Sequence, residues 1–317
     1  MPCISGGVGE RDREASSYPD LYLANTRSPP MNILPSLSDT VVSAVTQEWI
    51  PNSFDGFLHE LNHIVDCCRT KKSLALFRGH RNRKWLLDSS FVRSFKTTLF
   101  RVPPEDRLSQ RIVDSAEFHP AILNLFLLKF GVLARPSDEL EAVAKQHDVD
   151  AWFEFMKRLQ QYPEVEDGFF FLKGTNLLDW TQSPDVALYF ANENRNSDGA
   201  IYICDATATG KTLQVLRLGA ILDKMSELGK VGLPLGAPLL FSPPKQILCH
   251  RAKNQQAVYF AQMDLRYDLE YIWQLREAEL SGETISIKLV LPAGSEAAAS
   301  SYLAKKGITY AFIYPKT

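Results

Sequence analysis

Apolar positions recur at three- and four-residue steps from Phe54 through Phe57, Leu58, Leu61, Ile64, Val65 and Cys68. That spacing predicts a helix opening near Pro51 with a single apolar face. The pattern then changes to a short continuous run, Ser73-Leu74-Ala75-Leu76-Phe77, which reads as a strand ending in Arg78-Gly79. Residues 105–162 return to helical spacing, with Pro136 in a break between two segments. Ile122, Leu125, Phe126 and Phe130 suit one buried face, and Trp152, Phe155 and Leu159 another.

Beyond a Gly- and Asn-containing turn comes Leu177-Leu178-Asp179-Trp180. Ser183-Pro184 then has the signature of a helix start, serine as N-cap and proline at the first helical position. Asp198-Gly199 marks a turn, and Ala200 to Cys204 reads as a strand. The β-branched and aromatic runs Ala257 to Met263, Thr284 to Leu291 and Ile308 to Tyr314 predict three more strands. Helices are expected over 265–280 and 295–306, with Gly307 as the C-cap glycine. Strands separated by long, irregular connections point to an α+β fold rather than a doubly wound one.

Residues 1–45 are rich in Ser, Pro, Gly and Asn and read as a loosely ordered leader, so the folded domain is expected over 46–317 with a helical insertion at about 105–162. The 317 residues, 45% apolar and 23% charged, suffice for a sizeable core. A net charge of -2 gives no general pull toward nucleic acid or an anionic membrane. Five cysteines, two of them adjacent at Cys67-Cys68 and none in a CxxC pair, suit a reducing compartment. With no signal-peptide run and no membrane-spanning stretch, a cytoplasmic protein is expected.

Three constellations bear on chemistry. Phe77-Arg78-Gly79-His80 opens a basic stretch, Arg81, Arg83, Lys84, Arg93, Lys96 and Arg101, in which Asp88 is the only acid. A guanidinium at the end of a strand can grip a phosphate with two parallel bonds, and Gly79 would let a ligand approach the backbone. Taken alone, the same residues describe a solvated basic face with Arg78 in a structural ion pair. Leu177 to Pro184 places the hydroxyls of Thr181 and Ser183 at a helix N-terminus, a setting that suits anions and also suits plain capping. Arg251, Gln255 and Gln256 precede a strand, where polar side chains can enter a cleft or simply begin the strand.

Together these segments resemble proteins of the phenylalanine-arginine-glycine (FRG) domain family. Phe77-Arg78-Gly79 is similar to the naming motif. Leu177-Leu178-Asp179-Trp180-Thr181 followed by Ser183-Pro184 and Ala187-Leu188-Tyr189-Phe190-Ala191 is similar to the second signature. Asp198 to Tyr202, the pair Gln255-Gln256 with Phe260, and residues 284–315 extend the resemblance over roughly residues 50–317. One stretch departs from it. Where the family carries a Gln-His-x-Gly-x-Pro-Thr-Arg run, this chain has Phe170-Phe171-Leu172-Lys173-Gly174-Thr175-Asn176, without the histidine or the arginine.

The resemblance implies an ADP-ribosyltransferase-like split β-sandwich, two small and roughly perpendicular sheets, with helical N-terminal and middle segments and NAD in the cleft. It implies Arg78 on NAD phosphate beside Gly79 and Trp180, Thr181 and Ser183 near the nicotinamide-side ribose, and Gln255 or Gln256 in place of a catalytic glutamate. Asp179 is the nearest acid that could serve as a base. The expected activity is transfer of ADP-ribose from NAD to RNA, DNA or protein, as in a toxin or phage-defence effector with a possible inhibitory antitoxin. The alternative is a non-catalytic NAD or nucleotide sensor, because glutamine cannot accept a proton. His59-Glu60-Leu61-Asn62-His63 also spells the HExxH of zinc peptidases, but its histidines fall opposite the apolar face and no third ligand motif follows, so no metal is expected. No P-loop, Rossmann glycine fingerprint or GxSxG elbow occurs.

Overall fold

A computed structural model of the chain describes residues 48–71, 73–133, 172–205, 239–241, 250–262, 264–279 and 284–315. The leader and the second half of the expected helical insertion lie outside the described residues. In chain order the strands are β1 (Glu48–Trp49), β2 (Ala75–His80), β3 (Leu177–Thr181), β4 (Gly199–Asp205), β5 (Leu239–Phe241), β6 (Ala257–Ala261) and β7 (Ser286–Leu291). They form one seven-stranded sheet in the order β1-β7-β4-β2-β3-β6-β5. Every pairing is antiparallel except β1 with β7. Helices and a mostly antiparallel sheet make the fold α+β.

Two ladders flank the place where β2 meets β3, one on each side. In one, β2 pairs with β4 at six positions, from Ala75 opposite Asp205 to His80 opposite Ala200. In the other, β3 pairs with β6 at five, from Leu177 opposite Ala261 to Thr181 opposite Ala257. Between them β2 and β3 meet at one pair, Phe77 opposite Thr181. The two separate sheets expected from sequence are therefore one sheet, continuous through a single residue pair.

Strand side chains alternate between faces, and the core divides accordingly. Phe77, Ile201, Ile203, Ile287 and Leu289 pack with three helices, α1 (Phe54–Thr70), α5 (Pro184–Asn192) and α8 (Glu296–Lys305). Leu76, Leu178, Trp180, Tyr202, Val258 and Phe260 pack on the other face with α7 (Leu269–Glu279) through Leu269, Ile272 and Trp273. Between α1 and α5 along the chain lie α2 (Ser90–Leu99), α3 (Gln110–Val113) and α4 (Phe118–Leu133). Two short helices complete the described set, α6 (His250–Asn254) and α9 (Tyr310–Ile313).

Local chemistry explains the helix ends. Ser53 caps α1 by accepting from the Gly56 N–H at 3.1 Å. After α8, Gly307 adopts φ 75°, its N–H reaches Ala304 O at 3.0 Å, and the Ile308 N–H reaches Leu303 O at 2.9 Å. Those two bonds are the Schellman pattern, and the left-handed residue they require favours glycine.

Two expectations are corrected. Ile308 to Tyr314 is not a strand but leads into α9, because Thr309 caps a turn of helix by accepting from Phe312 N–H at 3.3 Å. The basic stretch 78–101 contains α2, a helix the charges concealed. Ser89 caps it, and Phe91, Val92 and Phe95 bury its apolar side.

Strand β2 and helix α5 approach each other backbone against backbone. A Cβ on Gly79 would lie 2.0 Å from the backbone oxygen of Ala187 and 2.6 Å from the Ala191 nitrogen. Backbone against backbone cannot yield locally, so only glycine lets this helix rest on the strand. Gly79→Ala is expected to destabilise the protein by about 3 kcal/mol or more, at the upper end of overpacking costs. Chemical denaturation with an unchanged m-value would check it.

Candidate functional site

The single-pair junction brings the three sequence constellations together. Arg78 follows Phe77 on β2, and Thr181 lies opposite Phe77 on β3. The Thr181 hydroxyl donates to Gln255 O at 2.6 Å and accepts from the Ser183 N–H at 2.9 Å. The Gln182 N–H donates to Gln256 O at 3.1 Å. The turn before α5 and the turn before β6 are thus bonded to each other beside Arg78.

Within this arrangement the roles divide. Ser183 is the N-cap of α5, its hydroxyl accepting from Val186 N–H at 3.3 Å. Both hydroxyls, Thr181 and Ser183, are engaged in holding backbone. Gln255 donates its amide to Ile313 O at 3.0 Å, which ties α9 to this turn. Gln256 is exposed and holds φ at 45°, a left-handed conformation unusual for a residue with a side chain. Such backbone costs on the order of 1 kcal/mol and gathers at functional sites. The Asp179 side chain is exposed on β3 while its carbonyl faces β2.

Two expected ligand contacts are corrected. Trp180 is 2% exposed and stacks edge-on against Phe260 and Trp273 at ring separations of 5.4 and 5.7 Å, so it belongs to the core. The close approach at Gly79 is taken by α5 rather than left for a ligand.

Arg78 is the centre of the site. Beyond Phe77 the β2–β3 pairing stops. The Arg78 Nη1 donates to the Asp179 carbonyl. Arg78 Nε donates to His80 Nε2 at 3.0 Å. A guanidinium has five N–H groups, so most remain for another acceptor. Among the described residues Arg78 makes no ion pair, which corrects the structural alternative read from sequence. Burial, reinforced by the Arg93 charge, lowers its pKa to about 10, so it stays cationic at neutral pH.

His80, the last residue of β2, holds Arg78. His80 is 4% exposed, and its Nδ1 lies 3.3 Å from Trp85 O. With Nδ1 donating to that carbonyl, Nε2 is left as the acceptor that Arg78 needs. Burial, then the Arg78 and Arg93 charges, push its pKa well below the ordinary value, so the ring is neutral. Tyr202, opposite Arg78 on β4, donates to the same Trp85 carbonyl at 3.1 Å and lies 3.3 Å from the buried Glu270 carboxyl. Burial raises the Glu270 pKa as well. Strand parity alone puts Arg78 and His80 on one face, a signal that could have found this pair.

His59 and His63 of the HExxH run are exposed on α1, away from the buried Phe57, Leu61 and Ile64. Among the described residues no group of three His, Cys, Asp or Glu side chains could hold a metal ion, and no helix is long and apolar enough to cross a membrane. Comparison with protein-family models, with curated proteins and with solved structures finds no match to this chain.

Two outcomes follow from these contacts. Thr181→Val keeps the shape but leaves the Ser183 N–H and the Gln255 carbonyl without their bonds. A loss of about 1–3 kcal/mol is expected, with faster hydrogen exchange in the turn at 254–256. For His80 the sign follows from its lowered pKa. The unfolded chain takes up a proton near pH 6.5, whereas the folded ring resists it to much lower pH. The contribution is therefore present above pH 6.5 and lost as pH falls toward the folded value. His80→Gln, which can still accept from Arg78, is expected to flatten that part of the stability–pH curve.

Proposed function

We propose that this chain is an NAD-dependent ADP-ribosyltransferase of the FRG type, with its cleft at the junction of the two ladders. The observation that carries this reading is the convergence at that junction of Arg78, the Thr181–Ser183 turn and the Gln255–Gln256 turn, three segments far apart in sequence.

In this reading Arg78, cationic and fixed by His80 and the Asp179 carbonyl, holds a phosphate of NAD. The bond from ribose C1′ to the nicotinamide nitrogen breaks with its electron pair leaving on the pyridine, which departs neutral. Positive charge develops on the ribose, as in glycoside cleavage. The acceptor nucleophile bonds to C1′ and gives up its proton. Orientation supplies much of the rate, because the leaving group is already cationic in the substrate. Gln256 can hydrogen-bond a ribose hydroxyl, and Asp179 is the nearest acid that could serve as the base for the acceptor's proton. The acceptor is a macromolecule, RNA, DNA or protein, as suits a toxin or defence effector restrained by an antitoxin.

A second reading, a non-catalytic NAD sensor, is favoured by one observation. Gln255 is committed to Ile313, and Gln256 carries no charge. Incubation of the full chain with radiolabelled NAD and a cell lysate separates the two. Transfer of label to macromolecules is expected, reduced roughly tenfold or more in Arg78→Ala, on the scale of one or two lost charge-assisted hydrogen bonds. NAD binding without nicotinamide release would favour the sensor, and absence of NAD binding would overturn both.

A further inference from the structure

The turn that carries Gln255 and Gln256 has a second neighbour besides β3. Asn254 donates its amide to Phe312 O at 2.8 Å and Gln255 donates to Ile313 O at 3.0 Å, so the end of α9 lies against α6 and the turn after it. The next residue, Tyr314, is thereby held beside α6, and the Arg251 guanidinium stands over its ring at 5.0 Å. Tyr310 packs on Tyr314 at a tilt of 45°, with ring centroids 4.9 Å apart. The Tyr314 hydroxyl donates to the Glu193 carboxylate at 3.4 Å. Tyr189, whose hydroxyl reaches the same carboxylate at 3.2 Å, meets the Tyr314 ring edge-on at 6.5 Å. These contacts fix Tyr314 from behind and leave Tyr310 outside.

Tyr310 is 68% exposed, the most exposed large apolar side chain among the described residues. Arg251 and Lys253 are exposed on α6, and Gln256 is exposed just beyond it. Neither α6 nor α9 contains an acid. A second group of rings shows how a purely structural cluster differs. Tyr267 and Tyr271 stack at 4.9 Å with Arg266 and Arg107 over them, but those arginines are bound to the fully buried carboxylates of Asp264 and Asp268. Among the described residues Arg251 makes no ion pair. A flat exposed ring offers its π-face to a base, and a guanidinium takes a phosphate through two parallel bonds. A duplex keeps its bases stacked inside, so an unpaired base is what such a ring can receive. The net charge of -2 gives the chain no general pull toward nucleic acid, so the attraction is local to this surface.

We propose that the surface formed by α6 and α9 binds a single-stranded nucleic acid, with an unpaired base on Tyr310 and an adjoining phosphate on Arg251. The same turn joins this surface to the candidate cleft, because the Gln255 and Gln256 carbonyls are the ones bonded by Thr181 and Gln182. A strand seated on α6 and α9 is presented to Gln256, which selects nucleic acid over protein as the acceptor. That acceptor role rests on the proposed transferase reading. The binding itself does not.

The test is fluorescence anisotropy of the full chain with labelled oligo(dT) and oligo(U), repeated over a series of salt concentrations. A hairpin duplex and polyglutamate serve as competitors, and NAD binding is measured alongside. The variants are Tyr310→Ala, Tyr310→Phe, Arg251→Ala and, as a control on α1, Arg69→Ala, whose partner is the surface Asp66. Wild-type protein is expected to bind the single strands more tightly than the duplex. Tyr310→Ala should weaken strand binding about fivefold or more, the scale of one lost base stack. Tyr310→Phe, which keeps the ring, should bind as wild type does. Arg251→Ala should weaken binding and reduce the slope of log affinity against log salt by about 0.7, the share of one phosphate contact on a single strand. It also covers the case in which Tyr310→Ala does not fold. Arg69→Ala should match wild type.

Absence of strand binding, or binding unchanged in both Tyr310→Ala and Arg251→Ala, would overturn the proposal. So would displacement by polyglutamate as readily as by unlabelled strand, which would make the surface a seat for an acidic protein. Strand binding through Tyr310 and Arg251 in a protein that ignores NAD would uphold the surface and remove the transferase reading. NAD binding without strand binding would do the reverse.

Discussion

Everything at the candidate site depends on the sheet being joined at one residue pair. Had β2 and β3 paired along their length, the Asp179 carbonyl would have met a backbone N–H, and Arg78 would have been one more strand side chain. Instead the ladder stops at Phe77 and Thr181. The Arg78 guanidinium donates to that carbonyl. The arginine is thus both a structural clasp between the two strands and a positioned cation.

The electrostatics on that face follow from what surrounds the clasp. A neutral His80 accepts from Arg78 on one side and is directed on the other by the Trp85 carbonyl, which also takes the Tyr202 hydroxyl. Burial disfavours charge on His80, so the side chain that accepts from Arg78 is a neutral ring rather than a carboxylate. On the opposite face α5 presses against Gly79 and fixes the strand from behind. The serine that caps that helix and the threonine beside it bind the neighbouring turn. The hydroxyls act as a frame beside Arg78.

Much of this was legible in the sequence. The helix at Phe54, the Ser183-Pro184 start, the Gly307 stop and the strands at Ala200, Ala257 and Thr284 follow from periodicity and capping, which are local rules. The three segments of the site were legible as motifs, but their meeting was not, since it depends on contacts across 74 residues of chain from Thr181 to Gln255 and 101 from Arg78 to Asp179. Three features were hidden for identifiable reasons. Helix α2 lies in a stretch whose charges drew attention from Phe91, Val92 and Phe95. The run at Ile308–Tyr314 has strand-like composition, yet Thr309 caps a turn of helix. Trp180 and Gly79 sit within motifs, so they were read as ligand contacts, whereas packing takes both.

The most direct measurement is a crystal structure of the chain soaked or co-crystallised with NAD. The expected result is density along the junction, with the phosphates against Arg78 and a ribose near Gln256. A ligand bound elsewhere, or a junction filled by side chains that pair Arg78 with a carboxylate, would contradict the account.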